Sequence, residues 1–187
     1  MRIISGNFKG KKLLEPNDKN TRPLKDLTKE SIFNIINHSK KFSINITDSK
    51  ILDLFSGSGS FGLECLSRNA GHVTFVENYK GVLPILKKNL LNFKRENNYK
   101  VIETDIFKNF FNQSILFKFD IIFLDPPYKE KELFYLLNEI KNHDILKKEG
   151  IIIIHRHRKQ KDLFPEGFKL LEEKNYGISK ILFGNFS

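Results

Sequence analysis

Hydrophobic runs and helical patterns alternate along the chain from residue 50 onward. Short apolar runs predict buried strands at 50–54, 72–77, 101–102, 119–124 and 150–154. Apolar residues recur at helical spacing after the turn at 55–62, around Leu86 and Leu90, and from Leu133 to Ile140. This alternation predicts a mostly parallel sheet with helices on both faces. Two further segments, 168–175 and 178–183, predict an antiparallel hairpin at the edge of that sheet.

The pattern before residue 40 is different and predicts a small extension. Two short strands, Arg2–Gly6 and Gly10–Leu14, flank a basic turn bounded by glycine. A helix follows, capped by Asp26 or Thr28 and running to about Asn37. The sequence therefore predicts an extension over residues 1–40 and a sheet domain over 41–187.

Composition places the chain among globular proteins. It has 187 residues, 40% hydrophobic and 29% charged, which fits one domain with a full core. No apolar run approaches the roughly 18 residues of a membrane span. The single Cys65, placed in a helix and expected in the core, excludes an internal disulfide. The missing membrane span and the single cysteine together fit a cytoplasmic protein. No His, Asp or Glu set has metal-ligand spacing, so no metal site is expected.

Positive charge is concentrated near the start of the chain. The formal net charge is +10, and the first 50 residues hold 11 Lys/Arg against 5 Asp/Glu. Such clustering indicates a polyanionic partner. The abundance of Lys, Asn, Ile and Phe has a second explanation, A+T-rich coding, and charge alone leaves both open. The His155-Arg156-His157-Arg158 run is interpreted as the basic end of the fifth strand.

The fourth predicted strand ends in Asp125-Pro126-Pro127-Tyr128. Each proline fixes its own φ and restricts the residue before it, so this loop is stiff. It lies at the carboxyl end of a central strand, where open α/β sheets place their ligands. A carboxylate, a free carbonyl and an aromatic ring can together hold a flat ring that carries an NH2 group. A turn that merely ends a strand is the alternative.

A glycine-rich turn follows the first strand, with glycines at 57, 59 and 62. The spacing matches a dinucleotide-binding fingerprint, and Glu77 beyond the second strand could bind a ribose in several cofactors. Asp53 at the end of the first strand would repel a pyrophosphate but could pair with an ammonium group. Asp105 could accept a hydrogen bond from an adenine amine, or could cap a helix that starts at Ile106.

These motifs together resemble the RsmD family. The resemblance is carried by Arg2-Ile3-Ile4-x-Gly6-x-x-Lys9-Gly10, Thr21-Arg22-Pro23, Lys29-Glu30-Ser31-Ile32-Phe33-Asn34-Ile35, Leu52-Asp53-Leu54-Phe55-Ser56-Gly57-Ser58-Gly59, Gly62-Leu63-Glu64 with Ser67-Arg68, and Asp125-Pro126-Pro127-Tyr128. The chain departs from the usual family residues at Leu24, Lys29 and Asn69, where Thr, Arg and Gly are typical. These changes fall on helices and loops and leave the expected chemistry intact.

The resemblance implies a Rossmann-like, class I methyltransferase fold that uses S-adenosylmethionine and has a seven-stranded sheet. It implies methylation of guanine N2 in bacterial 16S ribosomal RNA, at guanine 966 in the family. The expected partner is that RNA, within a small subunit or an assembly intermediate, and the expected state is a monomer. An adenine-N6 methyltransferase and a non-catalytic assembly factor of the same fold remain alternatives, and Asp53 argues against a nicotinamide oxidoreductase.

The residues expected to act fall into three groups. Those expected at the target base are Asp125, Pro126, Pro127 and Tyr128. Those expected at the cofactor are Asp53, Phe55, Gly57, Gly59, Glu77, Asp105 and Ile106. Those expected to contact RNA phosphates are Arg2, Lys9, Lys11, Lys12 and Arg22.

Overall fold

A single mixed sheet forms the centre of the computed structural model, which describes residues 1–17, 24–93, 98–111, 117–126 and 132–186. Within these residues the strands are β1 (Lys50–Leu54), β2 (His72–Glu77), β3 (Tyr99–Glu103), β4 (Phe119–Leu124), β5 (Leu146–His157), β6 (Phe168–Tyr176) and β7 (Ser179–Phe186). Their order is β3-β2-β1-β4-β5-β7-β6. The first five are parallel, and β7 is antiparallel to both β5 and β6. The predicted α/β architecture and terminal hairpin are confirmed.

Helices occur where the apolar spacing predicts them, but the predicted cap of the first helix by Asp26 or Thr28 is wrong, because Lys25 is at its N-cap and no described side chain caps it. The helices are α1 (Asp26–His38), α2 (Ser60–Ser67), α3 (Leu83–Leu91) and α4 (Leu133–Asn142), with a π-helical segment at Ile106–Phe110. Pro84 lies in the first turn of α3, where its missing N–H group costs no hydrogen bond. Within the part of the chain that the structure describes, no helix is long and apolar enough to cross a membrane.

Strand side chains alternate between two hydrophobic clusters, one on each face of the sheet. Phe123 of β4 faces the first cluster and stacks on Phe61 of α2, with ring centroids 4.0 Å apart. Ile122, its neighbour in sequence, faces the second cluster with Leu136 of α4. The first cluster also contains Ile3 from the start of the chain, so the extension shares the core of the sheet. The division of the chain near residue 40 stays a prediction.

The two strands predicted before residue 15 are reduced to one antiparallel bridge, Arg2↔Lys12. Helix α2 takes the backbone donors that longer strands would need. The N–H groups of Ile4 and Ser5 donate to the carboxylate of Glu64, at 2.8 and 2.9 Å. The segment is therefore fastened to α2 rather than extended as a free hairpin.

A buried ion pair completes this attachment. Lys29 of α1 and Glu64 of α2 are both fully buried, with Nζ and Oε2 3.5 Å apart. Lys29 also donates to the carbonyl oxygen of Arg2 at 2.6 Å, and Arg68 donates to Glu64 at 2.9 Å. Burial lowers the pKa of Lys29, and the charge of Glu64 opposes that shift. Glu64 is thus the shared acceptor that holds α1, α2 and the first residues together.

Replacement of Glu64 should therefore be strongly destabilising. Glu64→Ala leaves the Lys29 ammonium buried without its carboxylate and orphans the N–H groups of Ile4 and Ser5. We expect the free energy of unfolding to fall by about 3–5 kcal/mol, measured by urea denaturation. Glu30→Ala, at an exposed position of α1, should change it by less than about 0.5 kcal/mol. Equal effects of the two variants would contradict this role for Glu64.

Candidate active site

Three acidic side chains meet at one edge of the sheet. Strand β1 lies between β2 and β4 and runs parallel to both, so the three carboxyl ends are neighbours. Asp53 pairs in register with a residue of each neighbour, and Glu77 and Asp125 follow two positions beyond those partners. Because side chains alternate along a strand, all three carboxylates belong to the same face. They are near enough for Glu77 and Asp125 to influence the ionisation of Asp53.

The glycine-rich turn closes over this edge, and its glycines have different roles. Gly57 has a φ of +56°, and a Cβ added there would meet no atom within 4 Å. At Gly59 an added Cβ would lie 2.6 Å from Leu86, and at Gly62 it would lie 2.3 Å from Phe75. Gly59 and Gly62 are thus required for packing of the turn and of α2. Gly57 instead presents bare backbone to open space, which allows a ligand to approach it closely.

Asp53 is buried beneath this turn, with 1% of its surface exposed. Its Oδ2 atom accepts a hydrogen bond from the Gly62 N–H group at 2.9 Å. Its Oδ1 atom is buried and has no hydrogen-bond partner among the described residues. Burial raises the pKa of Asp53 well above 3.8, and the charges of Asp125 and Glu77 raise it further. A positively charged donor at Oδ1 would relieve both effects.

Glu77 is held by backbone donors. Its Oε2 atom accepts from the Gly57 N–H group at 2.8 Å, and its Oε1 atom accepts from Asn78 and Tyr79 at 2.9 and 2.8 Å. A carboxylate offers about four acceptor directions, so one remains open on Oε2. The Oε2 atom can therefore accept one further hydrogen bond, for example from a ribose hydroxyl group.

Of the two predicted cofactor residues that follow β3, one has a partly exposed side chain and the other a buried one. Asp105 caps the π-helical segment, because its Oδ1 atom accepts from the Phe107 N–H group at 3.0 Å. Its Oδ2 atom lies 3.7 Å from the Lys108 ammonium, and the side chain of Asp105 is 31% exposed. Ile106, in contrast, is 3% exposed and packs in the second cluster, so its side chain is not available to a ligand there.

Two partly buried rings lie beside the turn. Phe55 has a φ of +59°, a left-handed conformation that costs energy for a bulky residue. Its ring centroid is 5.8 Å from that of Phe107, at an interplanar angle of 46°. Phe107 had no role in the sequence prediction, since its contact with Phe55 depends on how strands β1 and β3 are placed. The two rings form an apolar pair, and Phe55 lies two residues before Gly57.

Asp125 is the first residue beyond β4, and it has an unexpected partner. Its Oδ1 atom is 2.8 Å from Nδ1 of His155 on β5. The side chains of Asp125 and His155 are 20% and 10% exposed, so the contact is shielded but reachable. Pro126 is buried beside it. Pro127 and Tyr128 lie outside the described residues.

The sequence interpretation of the 155–158 run missed this contact. Arg156 supports that interpretation, because it is buried in an ion pair with Asp162 at 3.0 Å and serves the strand end. The side chain of His155, the preceding residue of β5, points to the opposite face of the sheet from that of Arg156. The signal that identifies His155 is strand register: Leu124 pairs with Ile154, so the next residues, Asp125 and His155, become neighbours. That register cannot be obtained from one strand's pattern alone.

The predicted RNA-binding residues lie together near the beginning of the chain. Arg2, Lys9 and Lys12 are exposed. Lys11 is more constrained: its ammonium group donates to the carbonyl oxygen of Asn92 and lies 5.3 Å from the ring centroids of Phe8 and Phe93. Arg22 lies outside the described residues. The exposed basic groups remain candidates for phosphate contacts.

The acidic edge suits an organic cation better than a metal ion or a pyrophosphate. In the described ranges, no group of three or more His, Cys, Asp or Glu side chains is arranged to hold a metal ion. The buried Oδ1 atom of Asp53 can instead accept a hydrogen bond from one positively charged donor. A pyrophosphate would add negative charge beside three carboxylates. The residues present therefore fit the sulfonium and ammonium groups of the cofactor that the family resemblance implies.

The raised pKa of Asp53 makes stability depend on pH in a known direction. An acid with a raised folded pKa favours folding below its unfolded value, 3.8 here, and loses that contribution as pH rises through the folded value. An asparagine side chain cannot ionise, so the Asp53→Asn variant does not lose this contribution. We expect its free energy of unfolding, minus that of the wild type, to increase as pH rises from 3.8 to the folded pKa of Asp53. Urea denaturation of both proteins over a pH series measures the difference.

A matched control is Asp48→Asn, at an exposed position with a φ of 62° that asparagine also tolerates. Its stability should follow that of the wild type at every pH. If the curves of Asp53→Asn and the wild type run parallel, burial of an ionised Asp53 is not costly and the account of this side chain is wrong.

Comparisons with known proteins agree with the fold and identify the family. The chain is 35% identical to the ribosomal RNA small subunit methyltransferase D of Haemophilus influenzae, over 95% of this chain and 90% of that protein. It is 33% identical to the protein of the same name from Buchnera aphidicola, over 92% and 86%. The solved structure of the Escherichia coli protein yhhF has a TM-score of 0.82 at 29% identity, covering 98% of this chain and 96% of that one.

A family model with the description "Conserved hypothetical protein 95" matches residues 1–185, which is nearly the whole chain. The match spans the basic first residues, the glycine-rich turn and the Asp125 loop. The resemblance inferred from the motifs is therefore confirmed, and the chain belongs to the RsmD family described by this model.

Proposed function

We propose that this protein transfers a methyl group from S-adenosylmethionine to the exocyclic N2 atom of a guanine in bacterial 16S ribosomal RNA. The observation that carries the proposal is the acidic edge of the sheet. A buried unsatisfied carboxylate, an open glycine and the Asp125-Pro126 loop lie there together. Membership of the RsmD family supports the methyl-transfer reaction and the ribosomal substrate.

The cofactor would be held by residues of β1, β2 and β3. Asp53 would receive its ammonium group at Oδ1, and Gly57 would allow its close approach to the backbone. Glu77 would accept one ribose hydroxyl at Oε2, and Asp105 would accept from the adenine amine at Oδ2. Phe55 and Phe107 would wall the apolar side. When bound, S-adenosylmethionine would supply an electrophilic methyl group whose bonding electron pair stays on sulfur as the group leaves.

The protein's own contribution is alignment of the amine. The guanine N2 lone pair is delocalised into the ring, so it is a weak nucleophile. Hydrogen bonds from its N–H groups to Asp125 and to the Pro126 carbonyl oxygen would favour tetrahedral geometry and aim the lone pair. Orientation of this kind can contribute about 7–11 kcal/mol to a barrier. The surplus proton on the methylated nitrogen can then pass to the free carboxylate oxygen of Asp125 or to water.

Recognition of the RNA would involve two surfaces. Tyr128 would stack on the target base, a contact of about 1–3 kcal/mol. The guanine must be unpaired or flipped out of a helix to enter the site. Arg2, Lys9, Lys12 and Arg22 would contact phosphates, with Lys11 contributing where its intramolecular contacts allow. The reaction would take place in the cytoplasm on the small subunit or its precursor, by one copy of the chain.

The substrate assignment is tested by mapping the product. The protein is incubated with S-adenosylmethionine and with small subunits or 16S ribosomal RNA from cells that lack the corresponding enzyme. Nuclease digestion and mass spectrometry should find one N2-methylguanosine. Transcripts with guanine but no adenine should be methylated, and transcripts with adenine but no guanine should not. N6-methyladenosine would replace this proposal by the adenine alternative, and no product with any RNA would refute both.

Removal of the Asp125 carboxylate should abolish methyl transfer without abolishing cofactor binding. Asp125→Ala removes an acceptor for the amine but leaves the predicted contacts of Asp53, Gly57 and Glu77. We expect a loss of at least about 100-fold in the single-turnover rate, with S-adenosylmethionine affinity within a few-fold of the wild type by calorimetry. Asp144→Asn, at an exposed position, should react normally. Near-normal activity of Asp125→Ala would refute the assignment.

Charge reversal at the first residues should weaken RNA binding. A Lys9→Glu/Lys12→Glu variant removes two exposed positive groups, and each lost phosphate contact should lower the log–log salt slope by about 0.7–0.9. Filter binding between low and moderate salt measures both affinity and slope. A Lys148→Glu/Lys169→Glu variant changes the net charge equally at exposed positions of β5 and β6. Equal losses in the two variants would show that only net charge matters.

A further inference from the structure

His155 contacts the one carboxylate on which the proposed reaction depends. Its Nδ1 atom lies 2.8 Å from Oδ1 of Asp125, which is a hydrogen-bond distance. The contact follows from the sheet itself, because each residue comes one position after the register pair Leu124↔Ile154. The parallel register of β4 and β5 therefore places the imidazole and the carboxylate side by side at the ends of the two strands.

Burying an imidazole at this position costs desolvation free energy, which a hydrogen bond to the ring would offset. His155 follows four buried isoleucines on β5, and its register partner on β7 is the apolar Ile181. A branched aliphatic residue would continue this strand at no polar cost. The neighbouring Arg156–Asp162–Lys180 ion pairs already join the end of β5 to β7 and the segment that follows β5. The contact with Asp125 is therefore not needed to close the strand end.

The direction of the hydrogen bond follows from the chemistry of the two groups. An ionised carboxylate has no hydrogen to give, so the proton in this contact belongs to Nδ1 of His155. This holds for the neutral ring with its proton on Nδ1 and for the cationic ring. The bond occupies Oδ1 of Asp125. The Oδ2 atom makes no hydrogen bond to any described residue, so it is the oxygen that can face a substrate amine.

We propose that His155 is a positioning residue that fixes the carboxylate plane of Asp125 for methyl transfer. A carboxylate torsion is broad and roughly two-fold, so Asp125 alone would distribute its oxygens over many orientations. With Oδ1 anchored by Nδ1–H, the Oδ2 lone pairs take one direction relative to the Pro126 carbonyl oxygen. This role rests on the proposed function, since it concerns the same reaction at the same carboxylate.

Three variants separate positioning from a general effect on the fold. His155→Leu removes the donor and keeps an apolar residue of similar bulk. His155→Asn retains a donor, because its Nδ2 atom stands where Nδ1 stands on the ring. His157→Asn is the control at the partly buried end of the same strand, where the ring instead accepts from the Lys159 N–H group. Thermal melting and S-adenosylmethionine affinity report whether each variant folds.

Single-turnover methyl transfer to RNA gives the main readout. His155→Leu should slow the chemical step by about 10- to 100-fold while the apparent affinities for S-adenosylmethionine and RNA stay within about three-fold. His155→Asn should recover most of that loss, and His157→Asn should match the wild type. A rate for His155→Leu within two-fold of the wild type would overturn the positioning role. So would equal losses in the Leu and Asn variants.

A measurement without catalysis decides the pairing itself. Nitrogen-15 spectra of histidine-labelled protein, assigned by comparison with His155→Asn, should show a proton on Nδ1 of His155. In Asp125→Ala that preference should weaken. A lone pair on Nδ1 in the wild type would overturn the inference. A wild type that methylates no RNA would instead refute the proposed function and, with it, this role in the reaction, even if the Nδ1 proton is found.

Discussion

Concentrated negative charge at one sheet edge is the constraint on which the site depends. Parallel strands β1, β2 and β4 are neighbours, so Asp53, Glu77 and Asp125 cannot be far apart. Backbone N–H groups compensate Glu77, and His155 compensates Asp125. Among the described residues, Asp53 accepts a hydrogen bond only from the N–H group of Gly62, and burial raises its pKa well above 3.8. The folded protein alone leaves this charge poorly compensated, and a cationic ligand would complete the electrostatics.

Helix α2 couples this edge to the basic beginning of the chain. At its first turn, the Gly62 N–H group binds the carboxylate of Asp53. Two residues later, Glu64 binds the backbone of Ile4 and Ser5 and pairs with Lys29. A helix of eight residues therefore fixes both the floor of the candidate cofactor site and the segment proposed to contact RNA. Small changes in α2 would move the two surfaces together, which suits a reaction that needs both ligands aligned.

Much of the fold could be predicted because its signals are local. Buried runs such as 50–54 and 119–124 have the length and composition of parallel strands, and they were placed within a residue or two of their observed bounds. The clustering of the acids at the strand ends could also be predicted, because parallel strands bring their carboxyl ends to one edge of the sheet. The glycine spacing was visible as well. It did not reveal that Gly57 alone faces open space while Gly59 and Gly62 serve packing.

What the sequence could not provide depends on contacts between distant segments. The predicted strands near Arg2 are shortened because α2 captures their N–H groups, an effect with no local signature. Ile106 stays a prediction for the cofactor site, and the burial of its side chain in the second cluster leaves only its backbone to meet a ligand. His155 was read only as part of a basic strand end because its partner is 30 residues away, across a strand register. Polar residues that follow apolar runs on adjacent strands merit examination as pairs.

The proposed site requires a cationic adenosyl cofactor to lie against the acidic edge with its reactive centre beside Asp125. The most direct measurement is a crystal structure of the protein with S-adenosylhomocysteine. We expect the adenosyl group over Gly57, the amino group at Oδ1 of Asp53, and the sulfur atom next to Asp125. A ligand bound away from Gly57, or with its sulfur directed away from Asp125, would contradict this arrangement.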